Sequence, residues 1–164
     1  MNPVTELQEA VKTIVGKEVF EAVSKLTDAQ WRQLEDIRAL KTPELSLEQA
    51  LARYLEAIKA DYRKWSNTEN MNDYDRVNSV RGKMTKEFEE GLTIEEGQVY
   101  LKVITTRSGS SRSVHSFIVK EDGPKFKRGD ILKAASWKAP AKNQARGNIF
   151  GEYRVRWTGA EYLR

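Results

Sequence analysis

The chain has 164 residues, no cysteine and one histidine, with 32% charged residues against 39% hydrophobic. That composition excludes a disulfide framework, thiolate zinc sites and a cysteine nucleophile, and the length suits one domain or a small domain with an appendage. The net charge of +4 conceals an asymmetry: residues 95–164 hold fourteen Lys/Arg against seven Asp/Glu, so the basic excess lies at the C-terminal end, as an anionic partner would favour.

No apolar run approaches the roughly 18 residues of a membrane span. The opening MNPVTELQEAVKT is amphipathic with mixed charges, unlike a secretory signal. A soluble intracellular protein without membrane contact is the expectation.

In chain order, Val4, Leu7, Val11 and Ile14 recur at helical steps, and Val19, Phe20, Val23 and Leu26 continue them beyond Gly16. Thr27 and Gln30 form a capping-box pair opening a helix that carries Trp31, Leu34, Ile37 and Leu40. Pro43 ends it. Ser46 and Gln49 make a second capping box, and the stripe Leu51, Tyr54, Leu55, Ile58, Tyr62 and Trp65 marks the clearest helix, over 47–65. Such a stripe is ordinarily a core face, with a partner groove as the alternative use.

The polar run 66–70 reads as a linker, so residues 1–66 form a helical module and residues 71–164 a second domain. Asn72 or Asp73 caps a helix bearing Tyr74, Val77, Arg81, Met84 and Phe88, with Gly91 as its stop. From Gln98 the period becomes strand-like: Val99, Leu101 and Val103 alternate, Arg107 to Ser111 turns, and residues 113–120 return as a hairpin partner. A third strand covers 131–137, the basic segment 138–148 lacks any period and reads as a long loop, and Tyr153, Val155 and Trp157 alternate with Arg154 and Arg156 in a last strand. The fold class is α+β: a helical module followed by a helix and a small antiparallel sheet.

His115 is the one side chain that titrates near neutrality. Strict alternation puts it on the face of Phe117 and Val119, with Ser113 but not Ser116, as a packed core histidine. No catalytic residue, metal ligand or cofactor is indicated: a nucleophile elbow, a phosphate-binding glycine loop, a dinucleotide fingerprint and a calcium loop are all missing from the sequence. The reading is non-enzymatic. The constellation that carries chemistry is basic. Lys133, Lys138, Lys142, Arg146, Arg154 and Arg156 suit phosphates, with Lys133 on the Trp137 side of its strand by alternation. Trp137 lies among them as a stacking platform or loop brace, and Asn143 can bond base edges or sugar.

The motifs Ser113-Val114-His115-Ser116-Phe117, Lys133-Ala134-Ala135-Ser136-Trp137-Lys138-Ala139-Pro140-Ala141-Lys142 and Arg146-Gly147-Asn148, with the ending Tyr162-Leu163-Arg164, resemble a family of small tailed-bacteriophage proteins of uncharacterised function. The resemblance runs from about Met71 onward. It implies the cytoplasm of an infected bacterium and a small binding or host-takeover factor, and it supplies no activity. The expected partner is DNA or RNA at the basic face. The alternatives are a host or phage protein held by helix 47–65 or by that face, as an inhibitor or modulator of a host machine, or a structural role in the virion.

Overall fold

A computed structural model describes residues 27–33 and 44–163. The chain divides into two compact units, Met1–Glu44 and Leu45–Arg164. In the first, residues 28–33 are helical. The Thr27–Gln30 capping box closes as its spacing predicts, Thr27 N–H donating to Gln30 Oε1 at 2.9 Å and Gln30 N–H to Thr27 Oγ1 at 3.4 Å. The helical patterns over residues 4–26, the continuation at Leu34, Ile37 and Leu40, and the break at Pro43 lie outside the described residues.

The second unit opens with helix α1, Leu47–Ser66, started by the reciprocal Ser46–Gln49 capping box and stopped by Asn67 in a left-handed conformation. Its stripe is spent on the protein's own core. Ala50, Tyr54, Ile58 and Tyr62, four residues apart and so on one face, are all buried. Each large apolar side chain so buried contributes about 1.5–3 kcal/mol. Among the described residues, no helix is long and apolar enough to cross a membrane.

The polar run after α1 is not a linker. Thr68 is buried, and its hydroxyl meets Ser66 Oγ at 2.9 Å and Thr85 Oγ1 at 3.3 Å. The compact unit therefore begins at Leu45, whereas the sequence pattern drew the boundary after Ser66. Polarity marked a turn there, and the turn is a capped corner inside one unit.

The next expected helix is two: α2, Asp73–Asn78, capped by Asn72, and α3, Val80–Glu90, capped by Ser79. Ser79 is extended, with ψ 154°, and its hydroxyl accepts from Gly82 N–H. The break turns most of the expected stripe outward. Phe88 is buried, while Tyr74, Val77 and Met84 are exposed. Gly91 caps α3, as expected.

Four antiparallel strands follow in the order β1-β2-β3-β4: β1 Thr93–Glu96, β2 Tyr100–Arg107, β3 Ser111–Val119 and β4 Ile131–Lys133. β5, Arg154–Arg156, and β6, Gly159–Glu161, form a separate two-stranded hairpin. The architecture is α+β, as the sequence predicts. The strands differ in detail: β1 and β6 are additional to those expected, β4 ends at Lys133, and the arginine-faced last strand pairs with β6 outside the main sheet. One sheet face, with Leu101, Val103, Ile118 and Ile131, packs with α1 and Ile149. The other holds a smaller cluster of Phe117, Val119 and Leu132.

The β2–β3 register slips where Val103 faces Ser116 and Ile104 faces Val114, leaving His115 unpaired in a bulge. A bulge adds one residue and breaks the period of two. His115 and Ser116 consequently meet on the α1 side, and His115 does not share the Phe117 face that alternation assigned it.

Candidate nucleic-acid interface

The segment after β4 is irregular yet tethered. Ala141 N–H donates to Lys133 O at 2.8 Å, Arg146 N–H to Ile131 O at 2.7 Å, and Ile131 N–H to Gly147 O at 2.9 Å. The backbone thus folds back along the edge of β4 that β3 leaves free. Pro140 is buried. Gly147 takes φ 120°, and a Cβ there would lie 2.6 Å from Glu152 O, so only glycine fits. The expected long loop is a braced one.

That bracing sorts the basic residues into two groups. Lys133, Arg146 and Arg156 come from three separate segments and line one cleft of about 270 Å³, with His115 and Thr158 in its wall and Glu161 as its carboxylate. Arg156 Nε donates to Glu161 Oε1 at 2.5 Å. Arg146 is half-buried: its guanidinium stacks on Tyr162, 3.4 Å from the ring centre, and Nη1 donates to Ala160 O at 3.2 Å. Its buried Nε has no partner among the described residues. Tyr162 also accepts from Asn143 Nδ2 at 2.8 Å, so one aromatic ring fixes two of the sequence-predicted site residues. Arg154, exposed on β5, lines the adjoining groove that shares Arg156.

The other predicted residues lie apart from this cleft. β4 ends before alternation could carry Lys133 and Trp137 to one side. Trp137 instead sits beside Lys102 and Arg112, whose charges lie 4.7 and 5.3 Å from the indole centre. Lys102 also stands over Phe117, so Trp137 covers the Phe117 side of the sheet. It braces the turn. Lys138 and Lys142 are exposed and do not line the cleft.

Beneath the cleft runs a buried polar chain. Arg156 O can only accept, so His115 Nε2 at 2.8 Å carries the hydrogen, and Nδ1 of the neutral ring accepts from Ser116 Oγ at 2.9 Å. Ser116 in turn accepts from Tyr54 O–H at 2.9 Å. Burial holds the imidazole below its ordinary 6.5, against the Arg156 carbonyl, which favours the charged form. Burial likewise pushes the Tyr54 phenol well above its usual range. Both ring nitrogens are engaged, so His115 is held neutral and fixed.

Sequence reasoning missed the aromatic wall next to this cleft. Trp65 was read as the end of a core stripe, yet it is 63% exposed. It leans on Trp157 with ring centres 4.8 Å apart, and Arg107 stands 4.6 Å over Trp157. The signal was the position of Trp65 in the last turn of α1, beyond the point where the sheet could cover it.

The cleft thus belongs to a small α+β domain with a cationic, aromatic-flanked surface. Residues 32–161 match a family of unknown function (DUF7717), and the chain belongs to that family. The match begins well before Met71 and takes in α1, consistent with that helix being part of the same core. No curated protein and no solved structure gives a significant match.

Proposed function

We propose that this is a bacteriophage accessory protein that binds nucleic acid, without catalysis, through the basic face built around Lys133, Arg146 and Arg156. One observation carries the reading: three cations from distant segments line one cleft, and Glu161 is the carboxylate among them. Guanidinium groups match phosphate in a two-pronged geometry, and stacking on Tyr162 pre-orients Arg146 so that little side-chain entropy is lost on contact. The phage setting, and with it the bacterial host cytoplasm, rests on the motif resemblance. The test is titration of labelled DNA and RNA at rising salt. Affinity that falls steeply with salt and weakens in Lys133→Gln supports the reading, and affinity indifferent to salt overturns it.

A second reading, a modulator that binds a host protein, draws on a different surface. Tyr74, Val77, Val80 and Met84 on α2 and α3 are at least half exposed, an apolar set of the kind that marks protein contacts. On α1 most of the stripe is turned to the core, with Ala50, Tyr54, Ile58 and Tyr62 buried, and Trp65 at its end is exposed. Pull-down from host lysate, with and without nuclease, separates the two readings.

A further inference from the structure

We infer that the basic cleft is one end of a longer track for single-stranded nucleic acid, in which Trp65 and Trp157 form the wall on which unpaired bases stack. This rests on the nucleic-acid reading above and names the strand form that the site takes. Arg156, Thr158 and Glu161 line the cleft and equally line a second groove of about 710 Å³. Lys64, Trp65, Arg154, Val155 and Trp157 line the rest of that groove, with Asp61 as a second carboxylate beside Glu161. The two tryptophans also line a third hollow of about 120 Å³, with Arg107, Met84 and the carboxylate of Glu87. Each hollow shares lining residues with the next, along the end of α1 and the β5–β6 hairpin.

Cations and indoles line the track together. Lys64, Arg107, Lys133 and Arg154 have no carboxylate within 4 Å among the described residues. The aromatic wall is supported from behind. Asp61 on α1 accepts from Trp157 N–H at 2.8 Å, and Trp65 rests against both Trp157 and Tyr62 while remaining 63% exposed. An indole propped from behind and open in front is the geometry that base stacking requires, and a cationic floor follows the backbone. Bases in a duplex have both faces covered by neighbours, so this wall adds affinity only for an unpaired strand. A protein interface would place few charges at its centre, whereas here Arg154, Arg156 and Lys64 stand on the same groove as the indoles.

The test compares a labelled oligonucleotide of about 12 nucleotides with its duplex, in DNA and RNA, on the full chain at low salt. The single strand is expected to bind more tightly and to quench tryptophan fluorescence. Trp65→Ala, at an exposed site that leaves the core intact, is expected to weaken the single strand about 5- to 150-fold and to leave duplex affinity nearly unchanged. Arg154→Gln is expected to weaken both forms. If Trp65→Ala weakens neither form, or both equally, while Lys133→Gln and Arg154→Gln still reduce affinity, the stacking wall is overturned and the phosphate reading stands. Absence of binding to every oligonucleotide overturns both. If Trp65→Ala abolishes nuclease-resistant capture of a host protein while oligonucleotide affinity is unchanged, the wall is a protein interface and the inference fails.

Discussion

Ser116 stands between two groups that each depend on it, Tyr54 O–H on one side and His115 Nδ1 on the other, in a region where all three residues are buried. Ser116→Ala leaves both without partners in the core. A buried unsatisfied polar group costs about 1–3 kcal/mol, so the loss is expected to exceed about 2 kcal/mol. Tyr54→Phe removes one donor and leaves the Ser116–His115 bond intact, so it is expected to cost about 1 kcal/mol. Urea midpoints at constant slope measure the difference, and equal losses would show that the chain is not coupled through Ser116. His115 makes the same network sensitive to pH. Below 6.5 the unfolded chain takes up a proton that the folded imidazole resists. Stability therefore falls as the pH drops from 6.5 toward the lowered folded value, then levels off as far as His115 is concerned. Burial sets this direction. The hydrogen bond to the Arg156 carbonyl opposes it, and Tyr54 on α1 remains neutral. His115→Gln is expected to flatten the decline just below 6.5, above the range where carboxylates titrate, as read from denaturation midpoints at several pH values.

At the scale of elements, the α2–α3 corner reverses an ordinary propensity argument. Gly82 lies within α3, where alanine would normally gain about 1 kcal/mol. Its missing Cβ, however, would lie 2.3 Å from Arg76 O and 2.7 Å from Asp75 O. Gly82→Ala must push the two helices apart and is expected to lower stability by about 1–3 kcal/mol. A rise in Tm would show that the corner yields freely. This corner also shows why the helix was only partly legible. Tyr74, Val77, Arg81, Met84 and Phe88 keep helical spacing through Ser79, and nothing in that spacing marks a break. Ser46 and Asn72 were readable because a cap is a local bond between neighbours in sequence. Strand β6 and the bulge at His115 were not, because both are set by tertiary packing: Gly159 to Glu161 acquires strand character only by pairing with β5, and one extra residue in β3 turns His115 to the opposite face.

Over the whole molecule, the basic excess visible in the sequence becomes a surface only where the fold collects it. Lys133, Arg146, Arg154 and Arg156 were legible as candidates by charge, but Trp65, Lys64 and Arg107 were not, since they lie far away in sequence and meet the site only through α1 packing and the β2–β3 turn. Lys138 and Lys142, equally basic, stay outside all three hollows. This division yields a quantitative expectation. Each phosphate neutralised on a single strand contributes about −0.7 to the slope of log affinity against log salt, so the four track cations without a carboxylate partner, Lys64, Arg107, Lys133 and Arg154, imply a slope of about −2 to −3. Lys133→Gln with Arg154→Gln is expected to make the slope shallower by about 1.4. Glu161→Gln removes the carboxylate that engages Arg156 and is expected to raise affinity. Lys138→Gln with Lys142→Gln is expected to change the slope little. A slope that flattens with the Lys138 and Lys142 pair but not with the Lys133 and Arg154 pair would move the contact from the cleft to the exposed turn.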